Sequence, residues 1–443
     1  MSPAPTTTTS SAGNIHDPTS PAYKKAKKQH IKTTRNRDKE IDLDWTPFRA
    51  AEKKYKAKFP PPDLTDVLDL GLLDEKREDE ITQGGWRGKS DAVEVEEVPM
   101  GKAAIRAFVI PRIPGLVVLP SFVTAQEQKD LVRWSLRDQA GHPNDTNLDA
   151  HYLLPEEGLW NAYTKSNRNQ GPDTLVQPRI IAGSSSGSDA DLPGPRKLIS
   201  NTPANPDNFH ILTSSPKPPP APSPAAQPSS PALLIPKLRW ANIGWSYHWG
   251  SKQYDFTKGK APVGENVRNL CKRAVSAVNW EQVFGNQEHA DGWGDDDWRT
   301  WEETYEPDAG IVNFYQTKDT LMAHVDRSEV CATSPLVSIS LGNAAIFLIG
   351  GLTRDTAPIP ILVRSGDVII MSGPACRRAY HGVPRILDNT LPPHLSHIAD
   401  EGGDDHEDGD WVEYERYMRT TRININVRQV FPKGFDPGVH PAE

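Results

Sequence analysis

Leu336-Val-Ser-Ile-Ser-Leu341 begins a series of short apolar runs that continues with Ala344-Ala-Ile-Phe-Leu-Ile349, Ile359-Pro-Ile-Leu-Val363 and Asp367-Val-Ile-Ile-Met371. Glycine or proline breaks the chain between these runs. Short runs bounded by such turn residues predict strands, and repeated short strands favour a β-sandwich or barrel. The stretch therefore predicts an all-β core. A double-sheet jelly roll would leave a cleft between its sheets where side chains from several strands converge.

The strand pattern continues on both sides of this stretch. Ile311-Val-Asn-Phe-Tyr315 precedes it, and an alternating segment from Arg422 to Val430 follows it. Further upstream, Thr124 and Glu127 have the spacing of a capping box at the start of a helix. We therefore predict a mainly β fold with flanking helices, built on a double-stranded β-helix (jelly-roll) core at about 309–431.

The rest of the chain divides by composition. Of its 443 residues, 36% are hydrophobic and 41 are proline, so much of the length is not expected to be core. Residues 1–45 are Ser/Thr-rich and then basic, which predicts a disordered basic tail, and an N-terminal extension follows at 46–102. Low-complexity sequence at about 183–232 and acidic sequence at about 388–415 predict two insertions. Residues 433–443 are assigned to a C-terminal tail.

Charge is distributed unevenly along the chain. The formal net charge of −8 does not indicate a nucleic-acid binder. Residues 24–39 are nevertheless strongly basic, and a local patch, not the net value, decides affinity for nucleic acid. Three interpretations of this stretch stay open: a solvated disordered tail, a nuclear localisation signal, and an arm that contacts phosphate.

Membrane and secretory classes are not supported by the sequence. No apolar run approaches the roughly 18 residues that a membrane helix needs, and no secretory apolar region follows Met1. The cysteines Cys271, Cys331 and Cys376 are odd in number and far apart, which indicates a reducing compartment. We expect an intracellular monomer of the nucleus, the cytoplasm or both, with the mitochondrion as a further option, and no membrane partner.

The pattern His324-Val-Asp326 is the first candidate for chemistry. A second histidine, His381, lies in an apolar, glycine-flanked segment after a predicted strand. Two histidines and one carboxylate can bind one face of an octahedral Fe(II) and leave three positions for a cosubstrate and O2. A lone histidine is more often structural, so the prediction depends on the three residues together. Three other histidines lie in the acidic insertion, where a flexible loop holds ligand geometry badly: His394, His397 and His406.

The segment Arg422-Ile-Asn-Ile-Asn-Val-Arg428 is the candidate cosubstrate site. Alternation places its two arginines and two asparagines on one face of a strand. Two buried cations need a partner, and charge-assisted hydrogen bonds to a dicarboxylate would supply one. In the alternative interpretation, this face meets water. Such a strand spans about 20 Å, longer than a five-carbon dicarboxylate, which favours Arg422 over Arg428.

The motifs together resemble a known enzyme family. The set consists of Asn313-Phe-Tyr315, His324-Val-Asp326, His381 and Arg422-x-Asn424-x-x-x-Arg428. It resembles the AlkB family of Fe(II)/2-oxoglutarate dioxygenases, and Ala345-Ile-Phe-Leu-Ile-Gly-Gly351 is similar to the eukaryotic branch called AlkB homologue one. The resemblance covers about residues 103–432, interrupted by the two insertions, and implies an AlkB-like dioxygenase domain there.

The resemblance implies that His324, Asp326 and His381 bind the metal and are catalytic. The implied cofactors are Fe(II), 2-oxoglutarate and O2, with ascorbate helping to keep the iron reduced. In bacterial relatives, an acidic residue two positions after the ligand aspartate helps to recognise the base, and this chain has Ser328 there. That departure predicts shared chemistry with a different substrate specificity.

The resemblance also implies a cosubstrate site of six residues: Asn313, Phe314, Tyr315, Arg422, Asn424 and Arg428. Arg422 would pair the distal carboxylate of 2-oxoglutarate, with Tyr315 and Asn424 assisting. Arg428 and Asn313 would meet the carboxylate nearest the metal.

An aromatic segment before the predicted core is the candidate substrate site. Aromatic side chains can stack on a flipped or unpaired base. By resemblance, the candidates for base contact are Trp160, Trp245, Ser246, Tyr247 and His248. Trp240 and Trp249 are interpreted as core or edge packing, while Lys237 and Lys252 flank the cluster and could contact phosphate.

The resemblance implies an oxidative demethylase of N-methylated nucleobases. Its substrate would be methylated nucleic acid, either tRNA (N1-methyladenine) or DNA (N6-methyladenine), and its products formaldehyde, succinate and CO2. A second hypothesis is an oxygenase that acts on a methylated protein such as a histone. A third is a non-catalytic nucleic-acid-binding module, and the complete metal set argues against it.

Overall fold

The computed structural model describes residues 17–35, 44–98, 106–168, 175–179, 203–214, 217, 219–284, 297–396, 411–435 and 438. Their strands are β1 (Glu96–Val98), β2 (Ala107–Val109), β3 (Leu116–Leu119), β4 (Trp240–Gly244), β5 (Tyr247–His248), β6 (Gln253–Tyr254), β7 (Ala309–Gln316), β8 (Leu321–His324), β9 (Leu336–Gly342), β10 (Ala345–Ile349), β11 (Ile359–Val363), β12 (Val368–Met371), β13 (His381–Ile386) and β14 (Thr421–Arg428).

Their α-helices are α1 (Pro21–Thr34), α2 (Pro47–Lys56), α3 (Glu78–Gly84), α4 (Ala125–Arg133), α5 (Leu159–Asn167), α6 (Phe209–Ser214), α7 (Pro231–Leu234), α8 (Glu265–Ala277), α9 (Trp280–Phe284), α10 (Trp301–Thr304), α11 (Gly373–Arg377) and α12 (Trp411–Met418). Among these described helices, none has the length and apolar character needed to cross a bilayer.

Two antiparallel sheets form the core. The larger has the strand order β1-β2-β3-β12-β9-β14-β7-β4, and the smaller has the order β11-β10-β13-β8. Strands β5 and β6 pair separately as a short hairpin. Neighbouring strands are mostly distant in sequence, as in a jelly roll. The prediction of a jelly-roll core with flanking helices is confirmed.

Strand β14 lies inside the larger sheet, between β7 and β9. Its apolar side chains Ile423, Ile425 and Val427 belong to the main hydrophobic core. Because successive side chains of a strand point to opposite faces, the polar side chains of β14 face the smaller sheet and line a cavity there. The two-residue alternation thus builds a core on one side and a polar wall on the other.

Helices cover the outer face of the larger sheet. Leu131 of α4, Leu270 of α8 and Tyr414 of α12 are buried in the same core as the apolar side of β14. Helix α4 begins with the predicted capping box, in which Thr124 and Glu127 bond reciprocally. This layer holds the larger sheet in place while its other face remains available for the cavity.

The N-terminal extension covers the outer face of the smaller sheet. Phe48 and Tyr55 of α2 are buried against Ile346 and Leu348 of β10. Apolar side chains on alternate positions of β10 therefore meet α2, while Phe347 between them faces the cavity. The extension is packed on the strands that carry the candidate metal ligands.

Helix α1 corrects the prediction that residues 1–45 are disordered. The side chain of Ser20 accepts a hydrogen bond from the backbone N–H of Tyr23 at 3.0 Å, which caps the helix. The rings of Tyr23 and His30 lie 5.1 and 5.4 Å from the ring of Phe59. Composition did not reveal this helix because its anchor, Phe59, lies in a different segment. Residues 1–16 and 36–43 lie outside the described part of the chain.

Parts of both predicted insertions pack on the core. Ala204 and Phe209 are buried in an aromatic cluster with Trp245 and Phe256, and Trp411 of α12 is buried in the main core. These segments therefore contribute apolar contacts that their polar composition conceals. Within the predicted insertions, residues up to 202, residues 215, 216 and 218, and residues 397–410, with His397 and His406, lie outside the described part of the chain.

Candidate metal centre

Strands β8 and β13 bring the three predicted metal ligands together. His324 ends β8, His381 begins β13, and the two are paired in register, so that their ring centroids lie 4.3 Å apart. Asp326 follows two residues later, with 3.6 Å between its Oδ1 and Nε2 of His324. One ligand atom from each residue lies within 4.8 Å of the other two. Two imidazoles and a carboxylate in this arrangement are the donor set of a facial triad.

Backbone carbonyls orient both imidazoles. Nδ1 of His324 lies 3.0 Å from the carbonyl oxygen of Met322, and Nδ1 of His381 lies 3.0 Å from that of Ala379. Each Nδ1–H can therefore donate to a carbonyl, which leaves Nε2 of each ring as the lone-pair donor. Such partners fix the tautomer and the ring orientation of metal-binding histidines.

The electrostatics of the three residues favour metal binding. Burial, followed by the neighbouring His324, lowers the pKa of His381 to about 4, so this imidazole is neutral at pH 7. Burial opposes ionisation of Asp326, but the charge of Arg428 outweighs it, with smaller contributions from the two imidazoles, and the pKa of the carboxyl lies below its usual range. A neutral imidazole and an ionised carboxylate are the protonation states that a metal ligand requires.

Arg428 is bound to acidic residues in the structure. Its Nη1 lies 3.2 Å from Oδ2 of Asp326 and 2.6 Å from Oε1 of Glu329. Glu329 is buried and also lies 3.7 Å from Arg377. Sequence reasoning missed Glu329, although an acid between Ser328 and the apolar Val330 is a signal for a buried pair. Arg428 thus contacts the metal-ligating carboxylate, at the metal end of the cavity.

Arg422, in contrast, is a buried cation without an acidic partner among the described residues. Its Nη2 donates to Oγ of Ser340 at 2.8 Å, while its Nε and Nη1 are buried without hydrogen-bond partners. Burial lowers the pKa of this guanidinium to about 10. An unpaired buried charge is costly unless an anion joins it. Either open donor can give a hydrogen bond to a carboxylate oxygen, so the residues present fit 2-oxoglutarate.

Three further predicted cosubstrate residues lie beside Arg422. Asn313 and Tyr315 of β7 and Asn424 of β14 line the same cavity, and Nδ2 of Asn424 donates to Oγ of Ser338 at 2.8 Å. Phe314 does not join them. It is fully buried in the main core, because its side chain points to the opposite face of β7, which corrects its assignment to the cosubstrate site.

The ligands and both arginines share one cavity between the two sheets. It has a volume of about 480 Å³, which is within the usual range for small-molecule sites. The smaller sheet contributes His324, His381 and Phe347, and the larger sheet contributes Arg422 and Arg428. The cavity therefore places a candidate metal site and an unpaired cation on facing walls.

Aromatic and polar side chains form one side of the cavity entrance. Tyr247 and Trp249 line it together with Lys252 and Ser328, and the two rings meet edge to face at 5.0 Å. Oγ of Ser328 donates to the carbonyl oxygen of Lys252 at 2.9 Å. Trp249 is 43% exposed and its ring lies 5.2 Å from that of Trp240, so it packs at the edge of the cavity and not in the core.

Other predicted base contacts lie away from this entrance. Trp160 is buried and stacks on Tyr414 at 4.7 Å, and Trp245 is buried against Phe256. These two tryptophans are core residues, which corrects their prediction as substrate contacts. The remaining two candidates make local hydrogen bonds and are not among the cavity-lining residues: Oγ of Ser246 donates to Asp145 at 2.8 Å, and Nδ1 of His248 lies 2.8 Å from Oγ of Ser251.

Comparisons with known proteins agree with this geometry. Residues 198–428 match the family model of the 2OG-Fe(II) oxygenase superfamily. The chain is 29% identical over 404 residues to the DNA N(6)-methyladenine demethylase ALKBH1A of Arabidopsis thaliana, covering 88% of this chain and 97% of that protein. It is 27% identical to the tRNA demethylase abh1 of Schizosaccharomyces pombe, covering 87% and 96%. It is 33% identical to the nucleic acid dioxygenase ALKBH1 of Mus musculus, covering 80% and 73%.

Proposed function

Because the chain belongs to the AlkB family within the 2OG-Fe(II) oxygenase superfamily, we propose that it removes N-methyl groups oxidatively from bases of nucleic acid. One observation carries the proposal. The buried cation of Arg422, with two open hydrogen-bond donors, lines the same cavity as the group His324, Asp326 and His381. A dicarboxylate bound to Arg422 and a metal bound to the two histidines and the aspartate would share that cavity.

Each side chain of the centre has a distinct task. His324, Asp326 and His381 would hold Fe(II), with Nε2 of each imidazole presented by the carbonyl contact at Nδ1. Arg428 keeps Asp326 ionised and oriented. Arg422 would bind the distal carboxylate of 2-oxoglutarate. Tyr315 forms the adjacent wall, and its ring centroid lies 5.7 Å from the guanidinium carbon of Arg422.

The bound cofactors would supply the oxidation itself. That chemistry would consume 2-oxoglutarate and O2, give succinate and CO2, and leave the methyl carbon of the base hydroxylated, so that it would be released as formaldehyde. The protein residues bind and orient the participants and limit the access of water to the enclosed cavity.

The entrance supports a nucleobase as the substrate group. Tyr247 and Trp249 offer aromatic faces on which a base can stack, and the ammonium group of Lys252 can contact the phosphate of the same nucleotide. Stacking tolerates any base, so these residues support nucleic acid without choosing the methyl mark. At this entrance the hydroxyl of Ser328 donates a hydrogen bond to the backbone carbonyl of Lys252. Position 328 therefore offers no carboxylate that could recognise the base.

Purified protein with Fe(II), 2-oxoglutarate and O2 tests the proposal. The substrates are oligonucleotides with N1-methyladenine or N6-methyladenine, as RNA and as DNA, alongside a methylated histone peptide. We expect formaldehyde release and loss of the methyl group by mass spectrometry from at least one oligonucleotide. Turnover of the histone peptide with none on any oligonucleotide would refute the proposal.

The cellular compartment and the oligomeric state stay predictions. Sedimentation of the purified protein tests the predicted monomer. Imaging of the tagged protein tests the predicted nuclear, cytoplasmic or mitochondrial location.

A further inference from the structure

Glu52 is an acidic residue on the apolar face of α2. Phe48, Glu52 and Tyr55 follow one another at helical spacing and are the three buried residues of this helix. A buried charge is costly unless hydrogen bonds satisfy it, and each oxygen of this carboxylate accepts one. Oε2 accepts from Nη1 of Arg49 at 3.0 Å, and Oε1 accepts from the backbone N–H of Ala323 at 2.7 Å. The carboxylate therefore joins α2 to β8, next to the metal ligand at the end of that strand.

Strand β8 lies at one edge of the smaller sheet. An edge strand presents backbone N–H and C=O groups that are not paired with a neighbouring strand. At Ala323 both groups are bonded to side chains instead. The N–H donates to Glu52, and the carbonyl oxygen accepts from Nη2 of Arg354 at 3.1 Å. Two charged side chains thus fix the backbone of the residue that precedes His324.

A single peptide group lies between Glu52 and the imidazole of His324. The N–H of Ala323 and the carbonyl of Met322 belong to the same planar unit, and that carbonyl oxygen lies 3.0 Å from Nδ1 of His324. A continuous hydrogen-bonded chain therefore runs from the carboxylate through the peptide to the imidazole. Because hydrogen bonds in a chain polarise one another, a negative charge at the N–H side makes the carbonyl a stronger acceptor for Nδ1–H.

The second histidine provides an internal comparison. Nδ1 of His381 lies 3.0 Å from the carbonyl oxygen of Ala379. The N–H of the same peptide group, that of Tyr380, donates to the carbonyl oxygen of Gly351 at 2.9 Å. This chain has the same order of groups but ends at a neutral backbone oxygen. The two histidines therefore differ in the charge at the far end of an otherwise equivalent arrangement.

We propose that Glu52 is a positioning residue of the metal centre. Through the peptide between Met322 and Ala323, its carboxylate fixes the tautomer and orientation of His324 and makes Nε2 a stronger donor to the metal. Hydrogen-bond partners of metal-binding histidines act in this way, and their loss typically lowers metal affinity about 10–100-fold. The inference rests on the proposed function only in that His324 binds a metal, and it requires no turnover.

Calorimetric titration of the metal-free protein with Co(II) tests the inference. Glu52→Ala should lower the affinity about tenfold, at the small end of the usual range because Glu52 acts through a peptide. Glu52→Gln keeps an uncharged acceptor on a side chain of the same length, so its affinity should lie between those of wild type and Glu52→Ala. Wild-type affinity in Glu52→Ala, or equal losses in the two variants, would overturn the inference.

Tyr55→Phe is the matched control on the same face of α2. It removes the hydroxyl that donates to Oδ2 of Asp66 at 2.9 Å and leaves the contact between Glu52 and Ala323 in place. Its affinity for Co(II) should equal that of wild type. A loss as large as that of Glu52→Ala would show that any weakening of α2 disturbs the metal centre, which would overturn a specific role for Glu52.

Nuclear magnetic resonance distinguishes the two histidines, and Glu52→Gln carries this test if the alanine variant does not fold. Protein labelled with 15N-histidine and loaded with Zn(II) gives the Nδ1–H signals, which His324→Ala and His381→Ala assign. In Glu52→Gln the proton of His324 should move upfield because its hydrogen bond is weaker, while that of His381 should stay. Equal shifts of both protons, or no shift of either, would reduce Glu52 to a support of the fold.

Turnover measurements separate this inference from the proposed function. With excess Fe(II), Glu52→Ala should regain most of its kcat, and its KM for 2-oxoglutarate should stay as in wild type. If wild type turns over no methylated strand but Glu52→Ala still loses affinity for Co(II), the role of Glu52 stands and the proposed function fails. If turnover occurs and the affinity never changes, the role of Glu52 fails alone. A wild-type protein that binds no Co(II) would overturn both.

Discussion

Arg428 reaches Asp326 from the larger sheet, with 3.2 Å between its Nη1 and Oδ2 of the carboxylate. The same nitrogen lies 2.6 Å from Oε1 of Glu329, so one guanidinium joins two carboxylates. Without Glu329, the charge of Arg428 would be balanced by Asp326 alone. Because Glu329 balances part of the charge of Arg428, Asp326 keeps a lone pair and part of its own negative charge available for a metal.

Glu329→Ala should destabilise the fold. The substitution removes a buried partner of Arg428 and Arg377, and breaking a buried ion pair typically costs about 3 kcal/mol or more. Urea unfolding measures this loss. Glu157→Ala, which removes an exposed partner of Lys165, is the control and should cost less than about 1 kcal/mol. Equal effects from the two substitutions would contradict a structural role for Glu329.

Arg422→Met should abolish cosubstrate binding and still preserve or raise stability. Arg422 is buried, unpaired by any described acid, and leaves two donors open. Replacing such a cation with an apolar side chain of similar size relieves its desolvation, with an expected gain of about 1 kcal/mol. Thermal unfolding without 2-oxoglutarate tests the stability, and calorimetric titration with 2-oxoglutarate tests the binding.

Arg422→Lys is the matched variant for this prediction. It keeps the charge but loses the planar pair of donors, so its affinity for 2-oxoglutarate should lie between those of wild type and Arg422→Met. Wild-type affinity in Arg422→Met would refute the assignment of the distal carboxylate to this residue.

His324→Ala and Asp326→Ala should each abolish formaldehyde release while the protein stays folded, with some loss of stability in Asp326→Ala because Arg428 then loses this partner and keeps Glu329 as its carboxylate partner. Removing one of three ligands weakens metal binding, and neither side chain belongs to a hydrophobic cluster. Formaldehyde assays and circular dichroism measure the two quantities. Turnover at the wild-type rate in either variant would show that the metal is held elsewhere.

Local patterns were enough to predict the jelly roll and the chemistry of its cavity. The alternation of β14 separates Ile423 and Ile425 from Arg422 and Arg428, and the short interval between His324 and Asp326 keeps two ligands on one strand end. Such signals depend on residues that are neighbours in sequence, so they are visible without the fold.

Contacts between distant segments could not be predicted in the same way. Trp160 is buried by Tyr414, which comes from a helix more than two hundred residues later, and α1 is held by Phe59. Trp249 lies in the turn between β5 and β6, where it lines the cavity. For Phe314, however, the alternation itself already places the side chain opposite to Asn313 and Tyr315, so that error was avoidable.

Asp308→Asn should remove a pH dependence of stability. Burial raises the pKa of Asp308 from its ordinary value of 3.8 to about 7, although its Oδ1 accepts a hydrogen bond from the N–H of Val430. Between about pH 4 and pH 7 the folded protein therefore binds a proton that the unfolded chain has lost. The free energy of unfolding should fall as pH rises through this window, by at most about 1.4 kcal/mol per pH unit from this group.

The asparagine keeps the acceptor for Val430 and cannot ionise. Urea unfolding of both proteins at several pH values tests the prediction, and the variant should exceed wild type in stability by an increasing margin up to about pH 7. A difference that stays constant with pH would contradict the raised pKa of Asp308.

Phe209→Ala should weaken substrate binding from outside the cavity. The N–H of Ala204 donates to the carbonyl oxygen of Arg327 at 2.9 Å, which supports the loop between Asp326 and Ser328. Phe209 anchors this segment in a cluster that includes Phe256 and Phe431. Loss of a buried phenylalanine releases the segment, because such a truncation typically costs about 3 kcal/mol or more. We expect the KM for the methylated oligonucleotide to rise severalfold while the KM for 2-oxoglutarate stays unchanged, since the support acts on the entrance loop and not on Arg422.

Ile211→Ala, on the same helix but 71% exposed, should leave both values as in wild type. Equal changes in the two KM values would show instead that Phe209 acts on the fold as a whole.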